Sequence, residues 1–136
     1  MTELLSFGRS ILAGQPFSRL LGAELHRLEA GEAELWLPIR DELRQQHGFV
    51  HGGVLSYLAD NSMTFAAGSV YRDALTLETK LNFLRPCVGE RVVARALVLH
   101  AGKRQAVVRC DVFSVEGEQE RLCAVGQGTI SRVSPA

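Results

Sequence analysis

From Gly52 to Val70 the chain runs without a proline, and apolar side chains occupy most of the surface that a helix over this segment would present. A helix that is apolar on most sides must be covered on most sides. With 136 residues the chain has enough length for one core and too little for two ordinary domains. The remaining elements are therefore expected to wrap this helix.

The flanking sequence supplies the wrapping. Residues 3–13 place Leu4, Leu5, Phe7, Ile11 and Leu12 at helical spacing, and Gly14 with Pro16 stops the run, so residues 1–15 read as a leader helix of the same domain. Ala23 to Pro38 reads as a hairpin turning near Glu29-Ala30-Gly31, with Ala33, Leu35 and Leu37 alternating against Glu32, Glu34 and Trp36. After Arg72-Asp73 come four strand-like runs, near 75–84, 90–101, 105–115 and 121–132, punctuated by Pro86, Gly89, Gly102 and Gly117. This order predicts an α+β domain in which a long antiparallel meander curves around one central helix. Open strand edges and apolar runs such as Val92-Val93 and Val107-Val108 predict pairing with a second copy, a dimer at least.

Fifteen basic residues balance fifteen acidic ones, which argues against nucleic acid or an anionic membrane as the main partner. Cys87, Cys110 and Cys123 are odd in number and lack C-x-x-C spacing, so neither a disulfide framework nor a zinc site is expected. The first residues mix Glu3 and Arg9 into their apolar positions, unlike a signal peptide or membrane span. A cytoplasmic, unprocessed protein is the expectation.

The chemistry-bearing feature is the start of the central helix. Gly52 and Gly53 follow His51, and Asp60 lies further along the same apolar segment. Glycines at a helix start let a substrate approach unpaired N–H groups backed by the helix dipole, an arrangement suited to an oxyanion, and Asp60 supplies a base or nucleophile. Acyl transfer is the reaction these residues outline. The ordinary alternative for Asp60 is a solvated or paired aspartate on a helix face. His47 and His51 sit at i and i+4, but Gly48, Gly52 and Gly53 oppose a helix there and no third ligand is evident, so no metal is expected. Cys87 has no nearby histidine in sequence and reads as a bystander, while Tyr57 and Phe65 read as core.

The segment Gly48-Phe49-Val50-His51-Gly52-Gly53 through Leu58-Ala59-Asp60, with Leu81-Asn82-Phe83-Leu84-Arg85-Pro86 downstream, resembles the hotdog-fold acyl-CoA thioesterases of the PaaI type over roughly residues 16–133. The resemblance implies a single hotdog domain, an acyl-CoA substrate, no cofactor, and a homodimer assembled into a tetramer with sites at the subunit interface. It implies that Gly52, with Gly53 and Phe83 beside it, meets the thioester and that Asp60 is the base or nucleophile. Gln45 falls where PaaI-type members commonly carry Asn and one hydroxybenzoyl-CoA thioesterase type carries Gln, which leaves the acyl class open. Thr64, one turn beyond Asp60, and Thr76 fall near the position of the attacking water. His51 either contacts substrate or fixes the loop by a hydrogen bond. Arg85, Lys103 and Arg104 are candidates for the CoA phosphates, with solvated surface charge as their ordinary alternative. Hotdog domains also serve as acyl-thioester hydratases or dehydratases, but the H-F-P type of segment those use is missing. A non-catalytic acyl-CoA-binding module would not need Asp60.

Helix geometry adds a constraint independent of resemblance. Eight residues separate Gly52 from Asp60, about 12 Å along a helix. One carbonyl must sit within about 3 Å of both donor and attacking group. Two antiparallel helices across a dimer axis satisfy this by facing Gly52 of one chain to Asp60 of the other.

Overall fold

A computed structural model describes residues 1–133. The central helix, α3, spans Gly52–Tyr71, and Leu58, Met63, Ala66 and Ala67 along it are wholly enclosed. Ahead of it come α1 (Glu3–Ala13), α2 (Pro16–Leu21), β1 (Glu24–Glu29) and β2 (Glu32–Pro38); after it come β3 (Ala74–Phe83), β4 (Arg91–Ala101), β5 (Gln105–Glu116) and β6 (Gln119–Arg132). The six strands form one antiparallel sheet in the order β1-β2-β4-β5-β6-β3. This is the α+β hotdog architecture, with the sheet curved around α3.

The sheet can approach α3 closely because its concave face interleaves small residues with the larger Leu35, Leu37, Val92, Val108, Val112 and Ile130. Ala33, Ala94, Ala96, Ala106, Cys110 and Ala124 are buried there, in register across β2, β4, β5 and β6. Gly126 and Gly128 continue that face along β6 and bring β3 in toward the helix. A Cβ on Gly126 would lie 2.9 Å from the Lys80 carbonyl oxygen, and one on Gly128 would lie 3.0 Å from the Glu78 carbonyl oxygen and 3.2 Å from Met63 Cε. These two glycines set how near the β3 side chains come to α3.

Three sequence expectations need correction. The meander is three strands, β4-β5-β6; β3 lies beyond β6 because the segment after it crosses under the sheet, with Leu84 N–H donating to the Cys123 carbonyl and Glu90 N–H to that of Val115. Val92-Val93 and Val107-Val108 therefore sit on interior strands, and the open edges are β1 and β3. The β3 edge carries Leu75, Leu77 and Phe83 as exposed apolar side chains. Helix α2 is absent from the sequence expectation, being too short to show periodicity, although Pro16 opens it and Gly22 closes it at φ 88° as such residues do. Glu34 points outward as the alternation requires but is buried, accepting hydrogen bonds from Trp36 Nε1 at 2.9 Å and from Arg95 Nε. Among the described residues, no helix is long and apolar enough to cross a membrane.

The close approach at β6 is testable. Gly126→Ala is expected to destabilise the fold by about 1–3 kcal/mol, as overpacking against fixed backbone does, read as a lower denaturation midpoint with unchanged slope. Full stability in this variant would mean that the β3–β6 contact is not tight.

Candidate active site

Helix α3 begins with His51 as its N-cap, and the ring Nδ1 accepts the Gly53 N–H at 2.8 Å. The His51 carbonyl accepts from Val54 N–H at 2.9 Å and from Leu55 N–H at 3.4 Å. Of the four amides in the first turn, Gly52 N–H alone has no acceptor among the described residues. It sits at the positive end of a 20-residue helix. The Phe83 ring lies over it, since a Cβ on Gly52 would stand 3.3 Å from Phe83 Cζ. Glycine at 53 has a separate reason, because a Cβ there would meet His51 Nδ1 at 3.0 Å. The geometry thus gives His51 the loop-fixing role.

The loop before the helix is a tight turn organised by Gln45. Its Oε1 accepts from His47 N–H at 2.5 Å and Phe49 N–H at 3.4 Å, its backbone N–H donates to the Phe49 carbonyl, and Gly48 turns the chain at φ 86°. Gln45, Gly52, Phe83 and Arg85 line one depression of about 430 Å³ over the helix N-terminus.

Asp60 lies two turns further along, half-buried against β3. Thr76 of β3 donates its hydroxyl to Asp60 Oδ1 at 2.5 Å. Thr64 Oγ1 is 3.4 Å from the same oxygen and 3.0 Å from Thr76 Oγ1, and its hydroxyl is placed to donate to the Asp60 carbonyl at 2.9 Å. The second carboxylate oxygen, Oδ2, has no partner among the described residues. The Thr76 hydroxyl thus orients one edge of the carboxylate, with Thr64 packed beside it, and the other edge is free. Thr64, but neither Gly52 nor Gln45, lines a second cleft of about 510 Å³ between α1 and α3.

The structure therefore unites the sequence candidates in two groups. Gln45, His51, Gly52, Gly53, Phe83 and Arg85 gather at the N-terminus of α3; Asp60, Thr64 and Thr76 gather at its middle. Lys103 and Arg104 belong to neither. They stand exposed in the β4–β5 turn, which Tyr71 ties to the far end of α3 by donating its hydroxyl to the Gly102 carbonyl at 2.5 Å.

Sequence reasoning missed a polar cluster beside Asp60. Ser18, nearly inaccessible, donates to Gln15 Oε1 at 2.6 Å and accepts from Tyr57 OH at 2.5 Å, while Asn61 Nδ2 donates to Gln15 Oε1 at 3.0 Å. It docks α2 onto α3. The only sequence hint is Tyr57 and Asn61 at i and i+4 on one helix face.

The three thiols are buried and unpaired. Burial pushes Cys110 up to about 12; of the neighbouring pair, the proximity of each thiol to the other raises Cys87 and lowers Cys123. Among the described residues no three His, Cys, Asp or Glu side chains come together to hold a metal ion.

If the His51 ring caps the helix, His51→Ala should cost about 1 kcal/mol and His51→Asn much less, because asparagine is among the best N-caps. Chemical denaturation of both variants checks this. Equal losses would remove the capping role.

The sequence pattern of the Thioesterase superfamily matches residues 47–121, which span the helix N-terminus, Asp60, Thr64 and Thr76. The 1,4-dihydroxy-2-naphthoyl-CoA hydrolase of Listeria monocytogenes is 30% identical, over 82% of this chain and 90% of that protein. The crystal structure of a thioesterase family protein from Silicibacter pomeroyi superposes with a TM-score of 0.89 at 34% identity, covering 94% of this chain and 96% of that one. A point variant of the phenylacetic acid degradation protein PaaI from Thermus thermophilus superposes with a TM-score of 0.79 at 32% identity, covering 88% of this chain and all of that one. The hotdog fold, the span of the match and these likenesses together make the chain a member of the Thioesterase superfamily, a PaaI-like thioester hydrolase.

Proposed function

We propose that the protein hydrolyses acyl-CoA thioesters at sites shared between two antiparallel copies of α3, with the Gly52 N–H of one chain holding the thioester oxygen and Asp60 of the other acting as base or nucleophile. The observation that carries this reading is the separation of complementary halves on one rigid helix. The free amide lines the depression over the helix start, whereas the free carboxylate oxygen belongs to a residue two turns on, about 12 Å away at the helical rise. An antiparallel second copy brings each to the other. The open β3 edge, with Leu75, Leu77 and Phe83 exposed along it, supplies an apolar surface for that pairing. The Listeria relative is named for hydrolysis of an aromatic acyl-CoA, which supports a CoA ester as substrate.

In this scheme the carbonyl oxygen takes negative charge as the tetrahedral intermediate forms, and the Gly52 N–H at the helix's positive end stabilises it. Asp60 Oδ2 either removes a proton from the attacking water or attacks the carbonyl itself, with Thr76 fixing the carboxylate through Oδ1 and Thr64 holding Thr76 and the Asp60 backbone in place. Where water attacks, the proton taken by Asp60 passes to the departing CoA sulfur and the free acid remains; where Asp60 attacks, the CoA sulfur leaves an acyl anhydride on Asp60, which a water then hydrolyses to the free acid and the restored carboxylate. Gln45 is bound through Oε1 to its own turn, so its amide nitrogen is the group available to the thioester.

The dimer also relates the cations. From Asp60 to Tyr71 is eleven residues, about 16 Å. In the antiparallel arrangement the partner's β4–β5 turn would lie beyond the N-terminus of the first chain's α3, the end at which Arg85 lines the depression. Arg85 and the partner's Lys103 and Arg104 flank the path of a substrate leaving the Gly52 depression outward, as a nucleotide with phosphates requires. We assign the tetramer implied by the resemblance to further packing of such dimers.

Asp60→Asn should fold normally and lose about 10²-fold or more in turnover. Gly52→Val should also be inactive, since its side chain strikes the Phe83 ring at the thioester position. Co-refolding the two inactive proteins should restore about one quarter of wild-type activity per chain, because half the dimers are mixed and each mixed dimer has one intact site. Native mass spectrometry confirms exchange; abundant but inactive mixed dimers would defeat the shared site. Replacing Lys103 and Arg104 by Ala should raise KM at least about tenfold for CoA esters and far less for pantetheine thioesters. An equal effect on both would assign these residues to surface charge.

A further inference from the structure

We infer that the cleft between α1 and α3 receives the acyl group, and that Gly68 determines how large an acyl group fits. This rests on the thioesterase reading above and names the substrate class of that site.

The cleft of about 510 Å³ has Phe7 and Ile11 of α1 on one side and Thr64, Phe65 and Gly68 of α3 on the other. Its volume is in the range of pockets that enclose small organic ligands. Phe7 and Ile11 remain 44% and 41% exposed although both face this hollow. Thr64 is the link to the chemistry, because it contacts the Asp60 carboxylate and also lines the cleft. A thioester with its carbonyl at Asp60 can extend its acyl tail past Thr64, between the two helices.

Gly68 is what gives this cleft its length. Glycine is a poor residue for a helix interior, and the other glycines near it have local reasons. A Cβ on Gly8 would meet Leu25 and Leu28 Cδ2 at 2.7 Å, where α1 crosses β1, and Gly52 and Gly53 are pressed by Phe83 and His51. At Gly68 a Cβ would meet nothing within 4 Å, and the backbone has ordinary helical geometry. No neighbour excludes a side chain there, so the weaker helix former leaves open space in the cleft instead.

Position sets the class of acyl group. Gly68 lies eight residues beyond Asp60, about 12 Å along α3. An acetyl group is too short to pass Thr64, which stands beside the carboxylate, whereas a medium-chain aliphatic or a fused-ring aromatic acyl group continues toward Gly68. Leu4, Phe7, Ile11, Leu28 and Phe65 give the cleft apolar walls; Gln15 and Asn61 are bonded to each other, and the charged groups of the lining, Glu3, Arg72 and Asp73, belong to the start of α1 and to the end of α3 and the turn after it, beyond Gly68 in the chain.

The test compares the full-length wild type with Gly68→Ala, Gly68→Leu and Gly68→Phe, using acetyl-, octanoyl-, phenylacetyl- and naphthoyl-CoA. All three variants should fold, and Gly68→Ala should melt a few degrees higher, as removal of a helix-interior glycine predicts. The ratio of kcat/KM for the longest accepted acyl group to that for the shortest should fall with side-chain size, by tenfold or more in the leucine variant. Ile11→Trp, which narrows the cleft from its other wall, should lower the same ratio. The octanoyl and naphthoyl arms distinguish an aliphatic from an aromatic occupant. A ratio unchanged in folded Gly68→Leu and Gly68→Phe overturns the inference, as does loss of the wild-type oligomer on size exclusion, which would give the cleft to a second copy. Failure of the wild type to hydrolyse any thioester would instead defeat the proposed function.

Discussion

Everything in this fold follows from the need to enclose a helix that is apolar on most of its circumference. A flat sheet covers one face of a helix; α3 requires a curved one, and curvature at that radius requires small residues on the inside. The alanines at 33, 94, 96, 106 and 124, with Cys110, Gly126 and Gly128, meet that requirement. The polar groups that α3 does carry are then constrained in turn. Ser62, fully enclosed, donates to the Ala59 carbonyl and lies 3.3 Å from Cys110 Sγ. Asp60 is at the margin where β3 curls in, held by hydroxyls and still open on one oxygen. The curvature that hides the helix therefore also brings Thr76 within reach of the carboxylate.

The same helix acts as a rigid spacer. Its N-terminus offers one electropositive amide, its middle offers one oriented carboxylate, and no motion short of breaking the helix brings them together. A fold of this kind makes oligomerisation part of the chemistry under the proposed scheme. It also keeps two hollows of the chain apart: one sits over the helix start, against Phe83 and Arg85, and the other runs along the flank beneath α1.

Much of this is legible in the sequence because long, strongly patterned segments report their own structure. The apolar run from Gly52, the Glu29-Ala30-Gly31 turn and the leader helix ending at Gly14 are local signals, and each stands where expected. The position of β3 beyond β6 is not legible. Strand order depends on where a connecting segment passes, here under the ends of β6 and β5, and no residue between Leu84 and Glu90 encodes that locally. The burial of Glu34 is not legible either, because its partner Arg95 is on a strand far along the chain. At the candidate site, His51, Gly52 and Gly53 are readable from spacing. Phe83 over Gly52, and the Gln15–Ser18–Tyr57–Asn61 cluster, arise from elements that meet only in three dimensions.

The His51 cap limits what the start of α3 can hold. A helix start with several free amides forms a cradle for a phosphate, whose oxygens engage more than one donor. Here the imidazole occupies the Gly53 amide, and the His51 carbonyl takes the next two, leaving Gly52 alone. One donor suits one oxygen. Under the proposed scheme the cap suits the start of α3 to the one oxygen of a carbonyl rather than to the several oxygens of a phosphate.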